Sequence, residues 1–454
     1  MTAAKFNVRI PLLAMNRHQC AKALPVELMS MVFDGLSIEE LIITSLVCTF
    51  WRAVAVRHQT YWRDIRLASL STSALDFFEA RLKAGSTRTT CVRVDIPVVE
   101  SPARLRSVVL PALSRNLHRI DKLYLETDIV FDADLFSALQ HPAPRLDTLD
   151  VVLCHETQSS GALPVNLFDC QAPNLRTVRI LNAQLFADRL PHAFSPITDL
   201  SYCFNQAQSF PTALFAHCQH LQSLTIYGRY CSLSPEDHLE STIDARHLSS
   251  IDISVFAGSF DFVRCMPCVN ISRITVTIND EQSAQLLLEH LRGPLEVELY
   301  RTPHNVYVRY TSRDTGMQRA FVCLPDQPAV AYLPPVYTSS ALVSRVHTIR
   351  SSGSCAPLLS AFDALQSCTR LAVSIAEDES LHLPPRPLAL PALECVEISS
   401  ASTALIRPFD LSSFLAAAVL PVSRAVHVAL LGIKLDGEPI TLGDRFIVSQ
   451  ARCP

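Results

Sequence analysis

Apolar and polar positions follow two different rhythms along the chain, and the change falls near residue 67. In residues 24–67 the apolar positions recur at intervals of three and four, which is typical of short amphipathic helices. After residue 67, short segments follow the form apolar-x-x-apolar-x-apolar, and such alternation favours strands. The pattern therefore predicts a small helical region followed by a longer region built around strands.

The helical region is expected to divide into three or four short helices. Leu28, Val32 and Leu36 recur every four residues, which predicts an amphipathic first helix with these side chains on one face. Ser37 and Glu40 have the spacing of a capping box, so a second helix should begin after Ser37. A bundle of this size has little core of its own, and we expect part of its apolar surface to face another protein.

Eight segments of the longer region carry the strand pattern, and their spacing indicates a repeat. They begin at Ile120, Leu146, Leu175, Ile197, Leu221, Leu248, Ile271 and Leu393. Up to Ile271 the starts lie 22 to 29 residues apart, which is the length of a leucine-rich repeat. Helices are predicted between the strands, at residues 134–140, 212–218, 282–292, 358–366 and 410–420. The predicted fold class is α/β: an all-α N-terminal domain followed by a leucine-rich-repeat-like solenoid of strand-helix units.

One interval interrupts the repeat. The segments VYVRYTS (306–312) and RAFVCL (319–324) flank a turn at residues 313–316, which is the pattern of a β-hairpin. We therefore predict a hairpin inserted at about residues 303–335. The expected organisation is a leader at residues 1–23, a helical domain at residues 24–67 and the solenoid at residues 68–454.

Composition narrows the class of protein. Of the 454 residues, 49% are hydrophobic and 18% charged, so the chain can bury a large core and lacks the signature of disorder. A formal net charge of -4 provides no basic field for nucleic acid. We find no export signal or membrane span in the sequence, so we expect the protein to lie in the cytoplasm or nucleus. Its 15 cysteines are then expected to be reduced.

The sequence offers few candidates for catalytic chemistry. Cys265 and Cys268 have the spacing of half a zinc site, but no second ligand pair follows at a suitable distance. The phosphate-binding, nucleophile-elbow, metalloprotease and kinase signatures do not occur. We therefore expect no catalytic, cofactor-binding or metal-binding residues.

The helical region resembles the F-box motif. The matching residues stand in the order Leu24-Pro25-x-Glu27-Leu28, Val32-Phe33-x-x-Leu36, Glu40-Leu41, Val47-Cys48-x-x-Trp51-Arg52, Ala55 and Trp62. The resemblance covers about a tenth of the chain, and it departs from the family at Thr49 and Phe50, where basic residues are common. It implies that seven residues lie at or beside a surface that binds a Skp-type adaptor: Leu24, Pro25, Glu27, Leu28, Val47, Cys48 and Trp51.

The remainder looks similar to the divergent leucine-rich arrays of fungal F-box receptors. This resemblance implies a non-catalytic substrate receptor of an SCF-type (Skp-cullin-F-box) ubiquitin ligase, with a protein client on the inner face of the sheet. The candidate client-binding residues on that face are Tyr124, Asp150, Arg179, Thr225, Asp252 and Arg273. Three alternatives stay open: an F-box scaffold acting outside ubiquitination, an enzyme with an unfamiliar site, and a helical bundle whose apolar residues are all core.

Overall fold

The structure is a computed structural model, and it resolves into two compact units. It describes residues 24–84, 89–98, 101–128, 132–154, 161–185, 190–204, 208–209, 213–232, 247–257, 263, 266, 268–277, 281–302, 305–323, 339–362, 365–376, 387–418, 424–436 and 446–451. Unit 1 comprises Met1–His155 and Asn166–Leu175. Unit 2 comprises Glu156–Val165 and Arg176–Pro454.

Unit 1 begins with helices and continues into parallel strands. Its described α-helices are α1 (Val26–Asp34), α2 (Ile38–Thr44), α3 (Thr49–Arg57), α4 (Gln59–Arg63), α5 (Thr72–Ala84), α6 (Pro102–Arg104), α7 (Leu110–Asn116) and α8 (Asp132–Ala138). A π-helical turn (Leu105–Val109) joins α6 to α7, and 3-10 turns lie at Leu117–Arg119 and Leu167–Cys170. The strands β1 (Asp64–Leu67), β2 (Thr90–Ile96), β3 (Ile120–Asp128) and β4 (Thr148–Cys154) pair in parallel in chain order.

Helix α1 buries a face other than that of Leu28 and Val32. The helix itself is confirmed, but Leu28 and Val32 are 47% and 56% exposed. Met29 and Phe33 are buried instead, and they form the core of the helical region with residues from α2 and α3. Helix α1 therefore carries two apolar stripes, and periodicity alone cannot tell which of them the protein buries.

Unit 2 is built on a large sheet. Its described strands are β5 (Thr177–Leu181), β6 (Asp199–Phe204), β7 (Gln208–Ser209), β8 (Ser223–Ser232), β9 (Ser250–Ala257), β10 (Arg273–Thr277), β11 (Leu295–Arg301), β12 (Val306–Ser312), β13 (Gln318–Cys323), β14 (Val346–Ser352), β15 (Arg370–Ser374), β16 (Cys395–Ile406), β17 (Val426–Leu435) and β18 (Phe446–Ala451). Its described α-helices are α9 (Ala213–His217), α10 (Glu281–Glu289), α11 (Ser340–Val343) and α12 (Pro408–Ala418), with 3-10 turns at His192–Phe194, Cys268–Asn270 and Gly353–Ala361.

The strands of this sheet are parallel on both sides of an antiparallel insert. Strands β5, β6, β8, β9 and β10 pair in parallel, as do β11, β14, β15, β16, β17 and β18. Between them, β11, β12 and β13 form an antiparallel meander, and β13 rather than β11 pairs with β10. Because the meander has two reversals, its outer strands are parallel to each other and the ladder continues through it.

The predicted hairpin is the second half of this meander. Strands β12 and β13 are joined at residues 313–317, where Gly316 adopts φ +69°. The buried Ser312 side chain organises the turn, since its Oγ donates to the Arg292 carbonyl and accepts from the Thr315 backbone N–H. The sequence prediction missed β11, so the insert is larger by one strand. Residues 324–335 of the predicted interval lie outside the described residues.

The strand predictions agree with the structure better than the helix predictions. Each of the eight predicted segments contains a strand, and burial alternates along them as expected for one buried face. Four predicted helices correspond to α8, α9, α10 and α12, but residues 358–366 were predicted wrongly, since the described part is the end of a 3-10 turn containing Pro357. The prediction also missed α5, and the end of the predicted all-α domain is the strand β1. The solenoid and the domain boundaries stay predictions.

Arg319 stabilises the point where the meander meets β10. The residue is fully buried, and its guanidinium donates to the carbonyl oxygens of Cys268 and Ile271, at 2.8 and 3.0 Å. It also reaches the carbonyl of its neighbour Gln318, at 2.8 Å. Burial lowers the pKa of Arg319 to about 10, which leaves the side chain charged at neutral pH. The guanidinium therefore donates hydrogen bonds to backbone carbonyl groups that the pairing of strands leaves without a donor.

We expect Arg319→Leu to destabilise unit 2 by about 3 kcal/mol, because it leaves several buried carbonyls without a donor. Urea unfolding followed by far-UV circular dichroism measures this loss. The matched control is Arg350→Leu, which removes a half-exposed ion pair and should cost less than about 1 kcal/mol. Tryptophan fluorescence follows unit 1, since Trp51 and Trp62 both lie there. Equal losses in the two variants would contradict this role for Arg319.

Candidate functional site: the helical edge and the sheet face

Exposed apolar side chains are concentrated on the first three helices and the turns beside them. We call this surface the apolar edge. Its residues are Leu24, Val26, Leu28, Met31, Val32, Ile43, Leu46, Val47 and Phe50. The most exposed are Met31, Leu46 and Ile43, at 69%, 67% and 66%. An exposed apolar patch of this kind is unfavourable in water and marks a surface that binds another protein.

A small core beneath the edge holds the three helices together. Met29, Phe33, Leu41, Val54 and Ala55 are buried in it. The Phe33 ring meets the Trp51 ring edge to face, with 6.1 Å between centroids. Both α1 and α2 pack against α3, so the residues of the edge are carried on a shared support.

Local hydrogen bonds fix where α2 and α3 begin. The Ser37 backbone N–H donates to Glu40 Oε2 at 2.8 Å, and the Glu40 backbone N–H donates to Ser37 Oγ at 3.3 Å, which confirms the predicted capping box. The hydrogen bond from the Ser37 backbone to the Glu40 carboxylate holds the pKa of Glu40 below its usual value. A hydrogen bond with the Ser37 side chain adds to this effect. Cys48 caps α3, since its sulfur accepts from the Trp51 backbone N–H at 3.4 Å. These caps position the turn that carries Leu46 and Val47.

The predicted adaptor-binding residues fall into two groups. Leu24, Pro25, Glu27, Leu28 and Val47 are exposed. Cys48 and Trp51 are half-buried, and they cap and support α3 rather than forming the surface. The sequence analysis did not name several members of the edge, which are Val26, Met31, Ile43 and Leu46. The sequence did contain a signal for these residues, because the helices carry more apolar residues than one helix face can bury.

Arg81 on α5 ties the helical region to the first strand. Its guanidinium donates to the backbone carbonyls of Tyr61 and Asp64, with 2.9 Å from Nε to the Tyr61 oxygen. The residue is 2% exposed, and burial lowers its pKa to about 10. Since Tyr61 lies in α4 and Asp64 begins β1, this cation joins the last helix of the region to the sheet of unit 1.

The candidate client-binding residues lie on the polar face of each unit's sheet. In unit 1, Tyr124 and Asp150 are paired across β3 and β4, and the Arg93 guanidinium lies 4.8 Å from the Tyr124 ring centre. In unit 2, register aligns Arg179, Ser201, Thr225 and Asp252 in one row, and Arg273 lies in the adjacent row. Burial raises the pKa of Asp252, whose Oδ1 accepts from Ser254 Oγ at 3.0 Å. The structure therefore brings together three of the four candidates of unit 2.

An aromatic group on the same face of unit 2 was missed by the sequence analysis. We call Tyr227, Tyr300, Tyr307 and Arg309 the tyrosine cluster. Tyr300 and Tyr307 are cross-strand partners, and their rings stack in parallel with centroids 4.8 Å apart. The sequence did contain a signal for this group. Apolar and polar residues alternate in LEVELYR and VYVRYTS, and this alternation places both tyrosines on the polar face once the strands are paired.

Metal and thiol chemistry find little support in the residues that the structure describes. Within those ranges, histidine, cysteine, aspartate and glutamate do not form a group of three or more that could hold a metal ion. Cys265 lies outside them, and the buried Cys268 thiol donates to the Val263 carbonyl oxygen at 3.5 Å. Burial raises the pKa of Cys154 to about 11, with a further contribution from the Glu126 carboxylate, so the thiol is a poor nucleophile at neutral pH.

Comparison with known proteins supports the assignment of the helical region. A family described as F-box-like matches residues 21–68. This match contains the apolar edge and supports an F-box protein; such domains generally bind Skp-type adaptors, which suggests a role in substrate recognition by an SCF-type ubiquitin ligase. No curated protein matches the chain. Among the helices of the described residues, none is both long and apolar enough to span a membrane.

We expect Ser37→Ala to destabilise the helical region by about 1 kcal/mol, because α2 loses its cap. The pKa of Glu40 should rise only part of the way toward its usual value, because alanine keeps the backbone N–H of residue 37, which is the larger cause of the lowering. Urea unfolding followed by tryptophan fluorescence measures the first effect. Ser30→Ala inside α1 is the control, and it should cause no loss, since alanine favours a helix interior. A loss of equal size in the control would contradict the capping role.

The rate of alkylation should distinguish Cys154 from Cys170, two cysteines of unit 1. Exposed Cys170 should react with iodoacetamide before Cys154 at pH 8. The rate at Cys154 should keep rising from pH 8 to about pH 10, because a pKa of about 11 leaves most of that thiol protonated throughout. Mass spectrometry of tryptic peptides measures both rates. A plateau near pH 9 at Cys154 would contradict the raised pKa.

Proposed function

We propose that this chain is a substrate receptor of an SCF-type ubiquitin ligase. It binds a Skp-type adaptor, and through it a cullin, by the apolar edge, and it binds a protein client on the polar face of its sheet. In this proposal the chain is not an enzyme, needs no cofactor, and acts in the cytoplasm or nucleus. The strand-rich region serves as a leucine-rich-repeat-like array of the kind found in fungal F-box receptors.

The concentration of exposed apolar side chains inside the F-box-like match carries the proposal. Of the side chains in α1, Met29 and Phe33 face the local core, while Leu28, Met31 and Val32 face solvent. Covering a large apolar side chain contributes about 1.5–3 kcal/mol, so a partner that buries several of them gains enough to bind stably. The edge is therefore better explained by an absent protein partner than by the fold of this chain.

The geometry of the strand-rich region supports the client-binding half of the proposal. Parallel strands in register place polar side chains in continuous rows on one face. Strands alternate with short helices at several points, which is the arrangement expected of a repeat array. Rows of exposed polar and aromatic groups on a rigid sheet suit recognition of another protein.

We expect Leu24→Ala combined with Pro25→Ala to abolish adaptor binding, because both residues belong to the edge or border it. A more specific test compares two single variants, Val47→Asp and its control Val98→Asp. Each places a charge at an exposed position, since Val47 is 65% and Val98 is 67% exposed. Val47 lies within the edge and Val98 lies outside the matched region. Pull-down with a purified Skp-type adaptor measures binding, with at least about a tenfold loss for Val47→Asp and no change for Val98→Asp.

Circular dichroism of the same samples serves as the folding control, since both substitutions are at exposed positions. Undiminished adaptor binding by the double variant would exclude the proposal. A ubiquitination assay on the purified receptor–adaptor–cullin complex then distinguishes a receptor from an F-box scaffold: the receptor supports transfer of ubiquitin to a co-purified client, and the scaffold does not.

A further inference from the structure

The tyrosine cluster is a rigid aromatic site on an otherwise polar face. Two side chains of β12 contact Tyr300: the Tyr307 ring stacks on it, and the Arg309 guanidinium lies 4.9 Å from its ring centre. Arg309 Nη2 donates to the Tyr300 hydroxyl at 2.7 Å, and Nη1 donates to Glu298 at 2.8 Å. These contacts fix the side chains before any partner arrives, so little conformational entropy remains to be lost on binding.

Tyr227 lies on β8, on the same face of the sheet, and the hydroxyl of Tyr307 contributes to its electrostatic environment. Its side chain is 42% exposed. Burial raises the pKa of Tyr227, a hydrogen bond with Ser254 opposes the rise, and nearby Asp252 and Tyr307 add to it. Burial also raises the pKa of Tyr300. Both hydroxyls therefore stay protonated at neutral pH and remain able to donate hydrogen bonds.

Arginines around the cluster are already paired with acids on neighbouring strands. Arg309 contacts Glu298, Arg350 contacts Glu296, and Arg370 contacts Glu397. Phosphate recognition uses arginine side chains whose donors are available to the phosphate oxygens. Because a carboxylate pairs with each of these three guanidinium groups, their donors are already engaged and are not available to a phosphate at the cluster.

We infer that the client binds at the tyrosine cluster through an unphosphorylated segment that presents an apolar or aromatic side chain. This inference rests on the proposed function and specifies the chemistry of its client. Tyrosine and arginine dominate the energetics of protein interfaces, particularly where the surrounding charges are satisfied. The three ion pairs form a polar rim beside the anchor site, and they exclude partners with an unpaired charge at the centre.

The test uses the full chain bound to its adaptor and two immobilised peptide libraries of random sequence. One library is unmodified, and the other carries a fixed central phosphoserine. We expect retained peptides from the unmodified library to contain an aromatic or large aliphatic residue. In fluorescence polarisation, their affinity should fall at least about tenfold in the double variant Tyr300→Ala with Tyr307→Ala. His427→Ala, an exposed residue on the same face of β17, should change it less than about twofold.

Three results would overturn the inference: tighter binding of the phosphoserine library, unchanged affinity in the double tyrosine variant, or retention of no peptide by the wild-type complex. The comparison between libraries uses the wild-type chain, so it remains decisive if the double variant does not fold. Tyr227→Ala is a milder variant at an exposed position, and it should weaken binding by a smaller factor. Adaptor retention is measured in the same samples, and its loss would count against the proposed function instead.

Discussion

Buried backbone carbonyls that the parallel ladders do not reach impose the main constraint on this protein, and arginine side chains satisfy it. Arg81 does so between the helical region and β1, and Arg319 does so between the meander and β10. Arg345 makes the same kind of contact with the carbonyls of Leu291 and Gly293. Each provides several donors from one planar group, which a lysine cannot do in this geometry. The folds of both units thus depend on a buried guanidinium group, Arg81 in unit 1 and Arg319 in unit 2.

The apolar edge and the tyrosine cluster have the opposite arrangement: apolar side chains of the edge are exposed, and Tyr300 and Tyr307 are half-buried. The small core of Met29, Phe33 and Leu41 is sufficient to hold α1 and α2, and the other apolar stripe of α1 stays in solvent. On the sheet, the stacked Tyr300 and Tyr307 are held rigid by neighbours on the same face. Both surfaces are organised before binding, so a partner's contacts are not offset by the ordering of loose side chains.

The sequence predicts strands well because each predicted strand has one buried face, and a period of two is visible in segments such as Leu146–Cys154. It fails where the outcome depends on pairing. Nothing in the local pattern indicates that β13 replaces β11 beside β10, or that Tyr300 meets Tyr307 seven residues later. The face of α1 is ambiguous for another reason: partner-facing residues are as apolar as core residues, and composition cannot separate the two. Caps such as Ser37 and Glu40 are local, and the sequence predicts them correctly.

The position of Arg81 bears on where the helical region of this chain ends as a structural unit. The family match ends at residue 68, yet the carbonyls of Tyr61 and Asp64 receive their donor from α5, which begins at Thr72. A chimaera joined at residue 68 would separate the cation from both acceptors and bury three groups without partners. As a structural unit, the helical region therefore extends through α5 to Ala84. Exchange of this region for another would have to move α5 together with the helices before it.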